Sequence, residues 1–309
     1  KVIGIDNLVG GHYSNVPANV EFYAKDLGDF ESIKEHFKGV DLVVHTACTA
    51  YEGLSVFSPA LVTRNTFHIT TSAISAAIYG NVKKFVHMSS MARYGNQETI
   101  PFTEDMIPKP QDPYGIAKYA SELTLKNLCE THGMKYVILV PHNIIGPRQK
   151  YDDPYRNVAS IMINRMLQGK QPIIYGDGEQ KRCFSFMKDV TNPLIIACES
   201  DSVNGEIINV GPDEEFITIK ELAEKIAKLL NFKLDPIYMP GRPQEVKYAS
   251  CSSDKSRKLL GYKTSTSLDE GLTELIKWIR IQGTKQFEYH LPLEFITDKT
   301  PATWTERLI

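Results

Sequence analysis

Over its first 140 residues the sequence alternates short apolar runs, rich in valine and isoleucine, with amphipathic stretches, a rhythm that few folds accommodate. The runs are Val2-Ile3-Gly4-Ile5-Asp6, a weaker one from Val20 to Tyr23, Asp41-Leu42-Val43-Val44-His45, Lys84-Phe85-Val86-His87-Met88 and Tyr136-Val137-Ile138-Leu139-Val140. Their shortness and β-branched content predict strands buried on both faces. The stretches near 29–38, 61–79 and 114–131 predict helices. Strands alternating with helices give an α/β fold, a doubly wound parallel sheet.

Past residue 150 the texture changes. Helical stretches near 156–168, 219–230 and 268–282 are separated by turn-rich connections such as Tyr175-Gly176-Asp177-Gly178 and Pro240-Gly241-Arg242-Pro243. Thr218 stands where a helix cap belongs. This portion reads as a smaller mixed α/β region. The stretch 287–309 holds Pro292, Pro301 and Trp304 without periodicity and carries no functional reading.

Composition narrows the function classes. A formal net charge of -2, with no long basic run, gives no footprint for nucleic acid. No apolar stretch nears the roughly 20 residues that span a bilayer. The five cysteines, at 48, 129, 183, 198 and 251, show no C-x-x-C spacing, which disfavours a disulfide framework or zinc site and fits a reducing cytoplasm. The sequence contains no G-x-S-x-G elbow and no H-E-x-x-H helix.

One local pattern carries chemistry. In Tyr114-Gly115-Ile116-Ala117-Lys118, tyrosine and lysine four apart share one helix face. An ammonium beside a phenol favours the phenolate, making a general base. By itself such spacing equally fits a solvated face. Ahead of it, however, the Phe85–Met88 run leads into Ser89-Ser90, and ligands bind beyond the carboxyl ends of parallel strands. A strand-end serine about two dozen residues before a Tyr-x-x-x-Lys helix is far rarer than either part.

In that order, Asp6 at a strand end, Ala47, Asn65, Ser90, Tyr114 with Lys118, and Asn143 resemble the extended short-chain dehydrogenase/reductase family, and within it the UDP-sugar 4-epimerases. His142-Asn143-Ile144-Ile145-Gly146-Pro147-Arg148, Tyr175-Gly176-Asp177-Gly178 with Arg182, and Arg242-Pro243-Gln244-Glu245 resemble three further segments of that family. The likeness runs to about residue 282. It implies a Rossmann-like NAD-binding domain over 1–150, a nucleotide-sugar-binding region over 151–286 with some chain crossing between them, and a tail over 287–309.

The resemblance also implies roles. Asp6 and Asn7 would hold the adenosine ribose, Asp26 and Leu27 would flank the adenine, and Ala47, Asn65, Ser89, Tyr114 and Lys118 would complete the NAD site. Tyr114 would take the proton from the sugar 4-hydroxyl, with Ser90 on the same oxygen and Lys118 depressing the tyrosine's pKa. The nucleotide sugar would be held by Asn143, Asn157, Val158, Tyr175, Arg182, Arg242 and Glu245. Ala249, where a bulky residue restricts the sugar, would leave room for an N-acetyl group, implying UDP-GlcNAc and UDP-GalNAc beside UDP-glucose and UDP-galactose. A cytoplasmic homodimer built on 61–79 and 114–131 is implied too, with no metal. The alternatives are a dehydratase, decarboxylase or reductase on another activated sugar, or an NAD-binding protein without turnover.

Four departures stand out. A glycine-rich phosphate loop belongs about 20 residues before the ribose carboxylate, yet Asp6 is the sixth residue. The expectation is that the first strand, loop and helix are missing from this sequence. Met91-Ala92 stands where dehydratases and decarboxylases carry acidic residues, which favours epimerisation. Arg93 and Cys183 replace residues usual in the family; Cys183 is expected to be a buried structural thiol.

Overall fold

A computed structural model describes all residues from Lys1 to Ile309. The five predicted strands form: β1 Val2–Asp6, β2 Val20–Ala24, β3 Leu42–His45, β4 Lys84–Met88 and β5 Lys135–Pro141. All their pairings are parallel, β1 with β2, β3 with β4 and β4 with β5. A sixth strand, Ile207–Val210, adds in parallel to β5. The chain therefore returns to this sheet long after residue 150. The strands form two sheets, β1-β2 and the four-stranded set ending in β3, so β1 and β3 each present one unpaired edge.

Alternation along β4 and β5 explains why the sheet is central. Phe85, Tyr136, Ile138 and Val140 join one apolar cluster with Ala73, Ile74 and Leu125 from the helices Ile69–Tyr79 and Pro113–His132. Val86, Met88, Val137 and Leu139 point the other way, against Val190 and Ala197 of the helix Met187–Glu199. Each face is thus covered by helices, as continuous apolar runs require. The stretch predicted as one helix over 61–79 is Pro59–Thr63, a π-helical turn at Arg64–His68, and then Ile69–Tyr79.

The second lobe packs helices Val158–Leu167, Ile219–Leu230 and Leu268–Gln282 around their own apolar cluster. Thr218 caps the middle helix in a reciprocal capping box with Glu221. The tail runs back across the first lobe. The Glu294 carboxylate accepts from the Ala60 and Leu61 amides at 3.1 and 2.6 Å, and Trp304 packs among Tyr51, Phe57 and Tyr155.

Two histidines sit inside the sheet. His45 and His87 stack with ring centroids 5.5 Å apart, and neither His87 nitrogen has a partner. Burial, aided by the Lys118 charge, pushes the His45 imidazole down to about 3 and the His87 imidazole well below its usual value. Both are therefore neutral when folded, whereas the unfolded chain takes up protons near pH 6.5. Their stabilising contribution is whole above that pH and shrinks as pH falls, by about 1.4 kcal/mol per histidine per unit. Urea melts should thus lose on the order of 4 kcal/mol between pH 7.5 and 5. A His87→Leu protein should lose about half as much; matching slopes in the two proteins would contradict buried neutral imidazoles.

Candidate active site

Parallel register brings every strand's carboxyl end to one edge. Asp6 closes β1, Asp26 follows β2, Ala47 follows β3, Ser89 and Ser90 follow β4, and Asn143 follows β5. Between this edge and the second lobe lies a cleft of about 810 Å³. Ser89, Ser90, Tyr114, Lys118, Asn143, Asn157, Val158, Tyr175, Arg182, Arg242 and Glu245 all line it.

The helix Pro113–His132 delivers Tyr114 and Lys118. Asp112 caps it, accepting from the Gly115 amide at 3.0 Å, and Pro113 occupies its first turn. Gly115 is required there, since a Cβ would lie 2.7 Å from the Ala92 carbonyl oxygen. Its absence lets the helix start press against the Ser90–Arg93 turn, which brings the tyrosine beside the serine. The Lys118 ammonium, 1% exposed, donates to the Met88 carbonyl at 2.8 Å. Tyr114, 5% exposed, packs on Val62 and Ala92.

The electrostatics correct one expectation. In the protein alone the net shift of the Tyr114 phenol is upward, and Lys118 is not among its main causes. Burial raises it well above the usual tyrosine value; Cys48 and Glu52 add to this, and the Ser90 hydroxyl opposes. The lysine nitrogen lies 6.0 Å from the ring centroid and is engaged by Met88, so desolvation wins.

On the opposite wall, Arg242 donates to Glu245 at 2.8 Å and its guanidinium lies 4.8 Å from the Tyr175 ring centroid. Arg182 donates to the backbone carbonyls of Lys181, Lys247 and Val246. Asn143, Arg148, Asn157 and Gln244, all lining the cleft, hold positive φ of 38°, 70°, 56° and 60°. Strained non-glycine backbone gathered at one cleft marks a functional site. Asn157 donates to the Ile144 carbonyl at 3.3 Å while its own buried oxygen has no partner.

Other predicted positions lie off the cleft wall. Asp6 accepts from the Leu8 amide at 2.6 Å, while Asp26 takes Gly28 N and Arg64, the latter also holding the Asn65 side chain. Asn7, Leu27 and Ala47 are likewise absent from the lining. Ala249 is register partner of Arg182, but its methyl group belongs to the apolar cluster of Met91, Tyr94 and Cys251. The expected opening beside the sugar therefore does not arise from Ala249 directly. Cys183 is fully buried and its thiol is pushed up to about 11 by burial, as a structural cysteine would be.

Sequence reasoning missed two groups. Arg93 forms a buried ion pair with Glu122, 3.0 Å apart, and Glu122 also accepts the Ser89 hydroxyl. Glu122 lies one turn beyond Lys118, so this network braces the strand end that carries Ser90. The second is Glu52, a cleft carboxylate belonging to no motif.

The residues suit a dinucleotide at both of its ends. A buried ammonium with one protein acceptor retains donors for ribose hydroxyls, and a strand-end carboxylate stands at Asp6.

Comparison with known proteins places the chain among sugar-nucleotide enzymes. The model of the NAD dependent epimerase/dehydratase family matches residues 1–211. A UDP-glucose 4-epimerase from Thermotoga maritima, solved with UDP-glucose, is 30% identical with a TM-score of 0.86, covering 91% of each chain. A UDP-N-acetylglucosamine 4-epimerase from Methanobrevibacter ruminantium, in complex with UDP-N-acetylmuramic acid, is 33% identical with a TM-score of 0.84, covering 92% of this chain and 91% of that one. A UDP-N-acetyl-alpha-D-glucosaminuronate decarboxylase from Bacillus cytotoxicus is 29% identical, over 89% of each chain.

Proposed function

Because this chain belongs to the NAD dependent epimerase/dehydratase family, we propose that it is a UDP-sugar 4-epimerase. Its preferred pair is UDP-GlcNAc and UDP-GalNAc, with UDP-glucose and UDP-galactose also accepted. The observation that carries this reading is the convergence of Ser90, Tyr114 and Lys118 on one wall of a cleft whose other wall holds Arg182 and Arg242. Likeness to the Methanobrevibacter ruminantium enzyme supports the N-acetyl pair.

The chemistry a bound NAD supplies is reversible hydride acceptance at the sugar's C4, and its cationic ring favours a nearby phenolate. The protein's part is proton transfer and positioning. Tyr114 Oη removes the proton from the sugar 4-hydroxyl and later returns it, while Ser90 Oγ holds that same oxygen. Lys118 keeps a positive charge beside the phenol and bonds the nicotinamide ribose. Asp6 with Asn7, Asp26 with Leu27, Ala47, Asn65 and Ser89 hold the rest of NAD. Arg182 and Arg242 grip the diphosphate, for which a fixed guanidinium fork is suited, with Asn143, Asn157, Val158 and Tyr175 around the nucleotide and Glu245 on its ribose. Met91 and Ala92 offer no acid or base, which favours epimerisation over water removal or decarboxylation. Residues 1–150 chiefly serve NAD and 151–286 the nucleotide sugar. Exposed Ile116 and Leu123 on the Pro113–His132 helix support a homodimer through that face.

Incubating the NAD-loaded protein with UDP-GlcNAc should yield UDP-GalNAc, read by proton NMR of the anomeric and H4 signals. Turnover of only the unsubstituted hexoses would remove the N-acetyl preference; products lacking water or carbon dioxide would remove the epimerase reading.

A further inference from the structure

Thr303 and Trp304, in the tail, are 0% and 4% exposed, and their contacts lead to the cleft. The Thr303 hydroxyl shares a hydrogen bond with the Tyr175 hydroxyl, and the Thr303 carbonyl accepts from the Tyr289 hydroxyl at 2.9 Å. The Tyr175 ring in turn has the Arg242 guanidinium 4.8 Å from its centroid. Trp304 reaches the same neighbourhood through Gly53, in the short helix Glu52–Ser55. A Cβ at Gly53 would lie 3.3 Å from the Trp304 ring and 3.4 Å from Arg242 Nη1. The tail is itself held firmly here. Trp304 packs edge-on against Phe57 and Tyr155, with ring centroids 5.9 and 5.5 Å away, and Arg165 donates to the Leu308 carbonyl at 2.9 Å.

Arg242 has few partners of its own. It donates to Glu245 at 2.8 Å, while its buried Nε has none. The plane of the guanidinium is therefore set by one carboxylate and the Tyr175 ring. A phenol swings about two torsions unless its hydroxyl is tied down. Thr303 is the one protein group that ties it. We propose that Thr303 is a positioning residue for the diphosphate of the nucleotide sugar: its hydroxyl fixes Tyr175, and the fixed ring presents Arg242 to the phosphates. This rests on the reading that Arg242 grips the diphosphate. A guanidinium fork gains most from two parallel bonds to phosphate when its plane is set beforehand, because no freedom is then lost on binding.

The test is calorimetric titration of the NAD-loaded protein with UDP, beside an NMR titration with uridine. It compares the native chain with the Thr303→Val, Thr303→Ser and Tyr175→Phe variants and with the Thr303→Val, Tyr175→Phe double variant. Valine keeps the shape of threonine and deletes only the hydroxyl. Thr303→Val and Tyr175→Phe should each bind UDP about tenfold more weakly. Uridine affinity should stay within about twofold in both, since uridine brings no phosphate to Arg242. Thr303→Ser should keep native UDP affinity, and the double variant should bind UDP no more weakly than Tyr175→Phe alone, the anchored hydroxyl being already gone. Native UDP affinity in Thr303→Val, an equal loss for uridine, a loss in Thr303→Ser or a further loss in the double variant overturns the proposal. A protein that follows the expected pattern yet interconverts no UDP-sugar would sink the epimerase reading and leave the positioning role standing. One that epimerises UDP-sugars while native and Thr303→Val chains bind UDP alike would do the reverse.

Discussion

A Tyr114→Phe protein should lose about 10³-fold in kcat while keeping its fold, because the proposed mechanism makes the lost oxygen both acid and base. The substitution deletes no hydrocarbon. The ring remains packed on Val62 and Ala92, so no cavity opens in that small cluster. The lost oxygen is the atom facing Ser90, and neither Cys48, a weak hydrogen-bond partner, nor Lys118, a donor without an acceptor site, can take its place as a base. Burial, with Cys48 and Glu52 adding to it, holds the phenol well above its usual range, so the protein without its cofactor favours the protonated form. Reactivity then depends on cationic charge brought next to the ring. A Lys118→Met variant should also be strongly impaired, through loss of the proposed contact to the nicotinamide ribose, and should retain less NAD. Steady-state rates, with the NAD content of each variant checked by absorbance, read both effects. A Tyr114→Phe protein with native kcat would end the acid–base assignment.

How much of this was legible depended on whether the cause was local. The strands β1 to β5 were readable because each is a short β-branched run. Burial on both faces, however, holds only for β4 and β5: β1 and β2 contain no fully buried residue, and Val2 and Val44 are 57% and 42% exposed. The Pro113–His132 helix was equally readable, with Asp112 as cap, Pro113 inside its first turn and Gly133 in the left-handed conformation at its end. The helix Met187–Glu199 escaped because Pro193 lies within it, and proline ordinarily argues against a helix interior. The strand Ile207–Val210 escaped because its four residues gain their meaning from Ile138 to Pro141, far back in the chain.

The candidate site follows the same division. Ser90, Tyr114 and Lys118 were visible through spacing, whereas Glu52 enters the cleft through the path of a loop and no pattern announces it. The tail from 287 onward had no period because side chains one at a time, rather than a repeating face, tie it down. Glu294 caps the Pro59–Thr63 helix, the Tyr155 hydroxyl reaches the Leu291 carbonyl at 2.9 Å, and Trp304 fills an aromatic cluster.

Arg93 is the case where a departure from pattern became explicable only in three dimensions, and it yields the largest stability change. Arg93 and Glu122 are 3% and 2% exposed and 3.0 Å apart, a contact between charges whose angles miss hydrogen-bond alignment. The guanidinium also lies 4.9 Å and 5.8 Å from the ring centroids of Tyr94 and Tyr119. Removing one member of a buried pair strands the other. An Arg93→Ala protein should thus lose about 3–5 kcal/mol in urea unfolding. Burial already raises the Glu122 carboxyl, with Arg93 as the main opposing influence and the Ser89 hydroxyl next. Without the arginine it rises further. A group whose folded pKa lies above its unfolded value stabilises below the unfolded value and loses that contribution as pH climbs, so the deficit should grow from pH 5.5 to 7.5. Replacing both partners with apolar residues, Arg93→Met with Glu122→Leu, should recover most of the loss, since no uncompensated charge remains. Activity should not recover with it, because Ser89 loses the carboxylate that anchors the strand end beside Ser90. A single Arg93→Ala variant losing less than about 1 kcal/mol would mean that the pair does not form in solution.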